Sequence, residues 1–194
     1  MAKLYFYYAT MNSGKSKKLL QDNLDIANKG LETILLAPFN DGDDQSNIFI
    51  SSRNGMRAPA NGFGNTTDLF EKINALIKAA NGSVDSVFID EAQFLTPAQV
   101  RQLCKVVDCL ELSVNCFGLR TTYTGKGFEG SKELLCFADE IISIKSVCSC
   151  GNLNSMHVRK DSKGNIVRTE IPEGILNKEN YSSVCRKCYF QGGY

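Results

Sequence analysis

The chain has 194 residues, 43 % of them apolar, with 22 basic and 21 acidic side chains and a net charge of +1. That is enough apolar content for one α/β core with some length left for an appendage. The balanced charge leaves no basic stripe for nucleic acid, and no run of about 20 apolar residues offers a membrane span. The first apolar run, Leu4 to Ala9, is too short and too tyrosine-rich for a signal peptide, so a cytoplasmic protein with reduced cysteines is expected.

In chain order, Leu4-Tyr5-Phe6-Tyr7-Tyr8-Ala9 reads as a buried strand that runs into Thr10-Met11-Asn12-Ser13-Gly14-Lys15-Ser16 and then a helix. Strand, small-residue turn and helix start make a phosphate-binding loop, whose backbone N–H groups converge on the phosphates of a nucleotide such as ATP. Lys15 would add a point charge there and the Ser16 hydroxyl would ligate Mg²⁺. Ala9 stands where the strict G-x-x-x-x-G-K-[ST] pattern has glycine, which costs roughly 1–2 kcal/mol if that position needs positive φ. The helix runs from Lys15 to about Asn28, with Leu19, Leu20, Leu24 and Ile26 or Ala27 on its apolar face and Gly30 as its stop. Thr33 to Ala37 follows as a strand, parallel to the first.

Between Pro38 and Asn65 the pattern dissolves into Asn, Asp, Gly and Ser, a stretch long enough to be functional. Asp68-x-x-Glu71 is a capping box for a helix over 68–80, with Gly82 closing it. Val84 to Ile89 is a strand that ends on Asp90-Glu91. Thr96-Pro97-Ala98-Gln99 starts the next helix, with Val100, Leu103, Cys104, Val107 and Leu110 on its buried face. Then come a strand over 112–117, a loop over 118–130, a short helix over 131–137 and a strand over 140–145. Strands alternating with helices at this spacing predict an open, mainly parallel sheet covered on both faces, with ligands at the carboxyl ends of its strands.

Asp90 ends an apolar strand where a nucleotide-binding sheet puts its metal carboxylate, opposite Ser16. Glu91, one residue on, points elsewhere and is free to accept a proton from an attacking hydroxyl or to orient water. Of the eight cysteines, Cys104, Cys109, Cys116 and Cys136 sit in apolar segments and are expected to be buried thiols. Cys148-x-Cys150-Gly151 and Cys185-x-x-Cys188 form two close pairs in hairpin-like contexts, and suit a closed tetrahedral Zn²⁺ site; a redox pair or simply buried thiols are the alternatives. The lone histidine, His157, is a possible substitute ligand, with a surface or pocket role preferred.

Four stretches, 8–16, 89–94, Gly118-Leu119-Arg120-Thr121 through Phe128, and 181–189, together resemble the cellular-type (type II) thymidine kinase family over essentially the whole chain. The resemblance implies an α/β fold in which a RecA-like P-loop domain, residues 1–146, is followed by a small zinc-anchored lasso, residues 147–194, that closes over the nucleoside. It implies transfer of the ATP γ-phosphoryl to the 5′-hydroxyl of thymidine, a homotetramer and inhibition by dTTP. By position, Glu91 looks like the general base, with Lys15 and Arg53 as the other catalytic residues. Asp90 and Gln93 join Ala9 to Ser16 as contacts of ATP and Mg²⁺. Met11, Phe94, Leu119, Tyr123 and Phe128 look like the walls around thymine, and Tyr181 the lasso residue over the base. Departures from the family pattern are Ala9, the short C-x-C-G knuckle, Ser51 in place of an aspartate, and Ile175-Leu176-Asn177 in place of a glycine-rich stretch. A RecA-like ATPase whose zinc segment binds nucleic acid or a protein is the competing reading.

Overall fold

The computed structural model describes residues 1–39, 47–169 and 180–192. Its centre is a six-stranded parallel sheet in the order β5-β2-β6-β7-β1-β8. The strands are β1 (Leu4–Ala9), β2 (Thr33–Pro38), β5 (Asn61–Phe63), β6 (Ser86–Ile89), β7 (Ser113–Leu119) and β8 (Glu140–Ser143). β1 and β2 are parallel, as the first βαβ unit requires, but β6 and β7 lie between them.

Alternate residues of each strand serve two separate cores, the consequence of a period of two in a sheet covered on both faces. On one face, Leu35, Phe88 and Phe117 meet Leu19 and Leu20 of helix α1 (Lys15–Ala27). On the other, Phe6, Leu36, Ile89 and Val114 pack against α2 (Leu69–Ala79), α3 (Pro97–Leu110) and α4 (Glu129–Phe137). The start of α3 is the capping box read from Thr96 and Gln99, with both reciprocal hydrogen bonds formed. At Asp68 one bond is made, the carboxylate accepting from the Glu71 N–H.

Several expectations need correction. The polar stretch after Pro38 contains three-residue strands: β5 on the edge of the main sheet, and a hairpin of β3 (Phe49–Ser51) and β4 (Arg57–Pro59). Their shortness and mixed polarity leave no periodic signal. Leu24 is 45 % exposed, while Ile26 of the same helix still packs against the Leu19–Phe117 cluster, so only part of the expected apolar face is buried. Cys116 is buried and Cys104 partly so, but Cys109 and Cys136 are exposed near the ends of α3 and α4. Ala9 is not among the residues of positive φ: it is the last residue of β1, so the expected cost does not arise, and Asn12 (φ 61) and Gly14 (φ 83) take the left-handed positions instead.

The C-terminal segment is a three-stranded antiparallel sheet, β10-β9-β11, made from β9 (Met156–Lys160), β10 (Ile166–Val167) and β11 (Tyr181–Val184), followed by α5 (Arg186–Gln191). Its small core includes Val158, Val184 and Tyr189 together with Cys148, Cys185 and Cys188. The Ile175-Leu176-Asn177 departure lies outside the described residues. Among the described residues no helix is long and apolar enough to cross a membrane.

Candidate active site

The central strands β6, β7 and β1 are neighbours and parallel, so the turns after them open on the same edge of the sheet. The phosphate loop follows β1, Asp90 and Glu91 follow β6, and β7 ends on Leu119, paired with Ala9. A cavity of about 230 Å³ opens there, lined by residues 10–17, by Ser51, Ser52, Arg53 and Asn54, and by Glu91 and Leu119. The β3–β4 hairpin carries Arg53 to this rim at its tip, from within a stretch whose sequence shows no strand pattern.

Ser16 Oγ donates to Asp90 Oδ2 at 2.9 Å, which brings together the two side chains expected to share Mg²⁺. A hydroxyl and a buried carboxylate facing each other at the end of a phosphate loop are hard oxygen donors of the type Mg²⁺ takes, so the residues present fit that ion. Lys15 Nζ is 3.3 Å from Glu91 Oε2 and 3.6 Å from Asp90 Oδ1. Burial works to lower the Lys15 pKa, but the two carboxylates outweigh it and the net shift is upward, so the ammonium stays charged. Burial raises the Asp90 pKa; Lys15 opposes this and Glu91 adds to it.

Glu91 has φ 49, ψ 41, the left-handed conformation that an L-residue adopts at a cost of roughly 1 kcal/mol or more. That geometry turns its carboxylate out of line with the strand and starts a single 3-10 turn, Ala92–Phe94. Gln93 Nε2 donates to Glu91 Oε2 at 2.8 Å, and Gln93 Oε1 accepts from the Leu119 N–H at 2.9 Å. The turn rests on α4 at Gly130, where a Cβ would stand 2.5 Å from the Leu95 carbonyl oxygen; only glycine allows this approach.

Next to Glu91 is an apolar wall. Met11, Leu119, Tyr123 and Tyr181 form one buried cluster with Phe128 and Val167 against it. The Tyr123 and Tyr181 rings meet edge to face with centroids 6.0 Å apart, and Phe94 meets Phe128 in the same way at 6.0 Å. All six residues expected around thymine therefore lie in this region, Phe94 through its contact with Phe128. Tyr123 Oη donates to the Thr169 carbonyl at 2.9 Å, tying the wall to the C-terminal segment.

The sulfurs of Cys148, Cys150, Cys185 and Cys188 all lie within 4.8 Å of one another. Tetrahedral Zn²⁺ with bonds of about 2.3 Å needs edges of about 3.8 Å, so the four thiols fit that metal. The short first knuckle closes because Gly151 takes φ 86 and its N–H donates to the Cys148 carbonyl. The second is not a hairpin: Cys185 caps α5, its sulfur accepting from the Cys188 N–H. His157 is no part of this cluster; it is 3 % exposed on β9, with its ring 5.9 Å from that of Tyr181.

Ser52 and Asn54 on the cavity rim, and Ser146 against the loop, have no sequence signal of their own: each is a small polar residue in a stretch without periodicity. Ser51 and Ser183 fall in stretches singled out by the resemblance, but with no role attached.

Comparison with known proteins agrees with this geometry. A family profile described as thymidine kinase matches residues 2–189. A protein of Salmonella typhimurium strain LT2 named thymidine kinase is 42 % identical over 190 residues, 97 % of this chain and 91 % of that one. Proteins of the same name from Xanthomonas campestris pv. campestris strain 8004 (44 % over 186 residues, 96 % and 88 %) and Vibrio vulnificus YJ016 (40 % over 190 residues, 97 % and 97 %) are similarly matched.

Proposed function

The chain belongs to the thymidine kinase family, and on that premise we propose that it transfers the γ-phosphoryl group of ATP to the 5′-hydroxyl of thymidine, giving dTMP for nucleotide salvage. Deoxyuridine is a second acceptor on this reading, because one methyl group in an apolar pocket is worth only about 1–3 kcal/mol. One observation carries the proposal: Glu91 stands between a phosphate-binding loop and an apolar aromatic wall, where a nucleoside hydroxyl would meet a phosphoryl group.

In this reading residues 1–146 form the ATP-binding domain and 147–194 a lasso over the nucleoside. Residues 9–16 hold the phosphates, with Lys15 leaving its carboxylate partners to meet them. Ser16 and Asp90 are the residues suited to Mg²⁺, which when bound neutralises phosphate charge. Glu91 accepts the proton of the 5′-hydroxyl, and Arg53 brings positive charge to the transferring group. Met11, Phe94, Leu119, Tyr123, Phe128 and Tyr181 enclose the base. Gln93, expected among the nucleotide contacts, is read here as orienting Glu91, since both its amide atoms have protein partners. Cys148, Cys150, Cys185 and Cys188 hold Zn²⁺ as a structural ion.

A cytoplasmic homotetramer inhibited by dTTP completes the proposal; sedimentation velocity and a dTTP titration of the rate check these two properties. The deciding experiment is product analysis with Mg·ATP and a panel of nucleosides, with Glu91→Gln beside the wild type. Thymidine 5′-monophosphate from the wild type and a rate lower by about 10²–10⁴ in the variant support the reading. ATP hydrolysis with no nucleoside product overturns it in favour of an ATPase.

A further inference from the structure

Three consecutive residues of the phosphate loop are hydrogen-bonded to the C-terminal part of the chain. The Met11 carbonyl accepts from the Ser183 hydroxyl. Asn12 Nδ2 donates to the Tyr181 carbonyl at 3.0 Å. Ser13 Oγ lies 2.8 Å from Ser146 Oγ. The last contact continues in both directions: Ser13 Oγ is 2.5 Å from Thr10 Oγ1, and Asn154 Nδ2 donates to Ser146 Oγ at 2.9 Å. The Asn154 N–H also donates to the Ser146 carbonyl at 2.8 Å, which closes the chain around the Cys148–Cys150 turn. A relay of side chains, Thr10, Ser13, Ser146 and Asn154, thus joins the loop to the base of the first cysteine knuckle.

A phosphate loop binds through the aim of its backbone N–H groups, and small errors of aim are costly. Here Asn12 and Gly14 both have positive φ. Asparagine enters the left-handed region more readily than most side chains, but contacts that hold it there still fix the loop's aim. Those surroundings, at Asn12 and at both its neighbours, come from residues more than 130 positions away.

We propose that Ser146, the last residue before the C-terminal segment, acting through Ser13 and held by Asn154, is a positioning residue for the nucleotide phosphates, so that the base of the first cysteine knuckle braces the phosphate-binding loop. The inference rests on the kinase reading only in requiring that the loop bind a nucleotide.

The test is calorimetric titration of full-length, zinc-loaded protein with MgADP, without thymidine, for Ser146→Ala, Ser13→Ala, the double variant and Ser146→Thr, together with steady-state kinetics. One lost hydrogen bond predicts an MgADP Kd about five- to tenfold weaker in Ser146→Ala. The KM for ATP should rise in step while that for thymidine stays put. Ser13→Ala cuts this contact and the one to Thr10 as well, so the double variant should bind no more weakly than Ser13→Ala alone. Ser146→Thr, which keeps the hydroxyl, should restore the affinity. Asn154→Ala removes the far end of the relay, leaves Ser146 in place and should lose about two- to threefold; it serves if Ser146→Ala does not fold. An unchanged Kd, additive losses in the double variant, or equal rises of both KM values overturn the inference. A wild type that binds no MgADP overturns the kinase reading itself, and this inference with it.

Discussion

Gln93 Nε2 donates to Glu91 Oε2 at 2.8 Å, while the other amide atom of Gln93 accepts from the Leu119 N–H. One buried side chain therefore fixes the carboxylate against the end of β7, where the nucleoside wall begins. Hydrogen bonds to charged groups are worth about 1.5–3 kcal/mol, and Leu at this position would also leave the Leu119 N–H without its partner. Gln93→Leu should lower kcat about 10- to 100-fold with the KM for ATP within about twofold. A variant with normal kcat would show that Glu91 needs no such support.

The nucleoside wall should separate the two substrates kinetically. Tyr123 is 6 % exposed and packs on Tyr181, and neither residue lines the phosphate cavity. Tyr123→Ala removes an aromatic face worth about 2–3 kcal/mol, so kcat/KM for thymidine should fall about 30- to 100-fold. Tyr123→Phe keeps the ring and loses the bond to the Thr169 carbonyl, about 1 kcal/mol, and should lose about fivefold. Initial rates at saturating ATP give both values; an equal effect on the KM for ATP would contradict the separation.

Much of this site was legible in the sequence because its parts are local. The phosphate loop, the strand ending in Asp90-Glu91 and the Thr96 cap each occupy fewer than ten consecutive residues, and local pattern is what a sequence displays. The fold followed from alternation of the same segments. What was hidden depends on distance or on backbone. Asn115 and Phe88 are register partners across 27 positions of chain, and nothing in either segment announces which strands neighbour β1. The left-handed turn at Glu91, which aims the carboxylate, cannot be read from a glutamate. The serines that brace the loop are ordinary polar residues until the chain folds back on itself. Leu24 shows the reverse case: helical spacing marked it as buried, yet it is exposed while its neighbour Ile26 packs on the core.

The cysteines can be counted by reaction. If Zn²⁺ occupies the four-sulfur cluster, a thiol reagent should titrate Cys109 and Cys136 quickly, since these are the two exposed thiols outside it. Burial raises the pKa of Cys116 far above its usual range and should leave it silent in native protein. Strong chelation should release about one zinc per chain and expose four further fast thiols. It should also lower the melting temperature, since three of the four ligands belong to the small C-terminal core. Four further thiols appearing only after a dithiol reductant is added, with no metal released by the chelator, would indicate a redox role for the pairs.

His157 gives the C-terminal segment a defined acid sensitivity. It sits on β9 opposite Ser183, its ring near that of Tyr181, and Arg120 lines the same small cavity. Burial pushes its pKa from 6.5 down to about 4, because the charged ring would lose its water. The unfolded chain therefore binds a proton below pH 6.5 that the folded chain refuses until about pH 4. Stability from this group is complete above pH 6.5, declines as the pH falls through that window, and is gone below it; the full difference is about 3 kcal/mol. Urea unfolding between pH 7.5 and pH 4 should show this decline on top of that from carboxylates shared by all variants. His157→Gln, neutral at every pH, should unfold with a shallower dependence, the two curves converging toward pH 4 if the glutamine costs stability at pH 7. Parallel curves would mean that His157 takes up its proton in the folded protein as readily as in the unfolded chain.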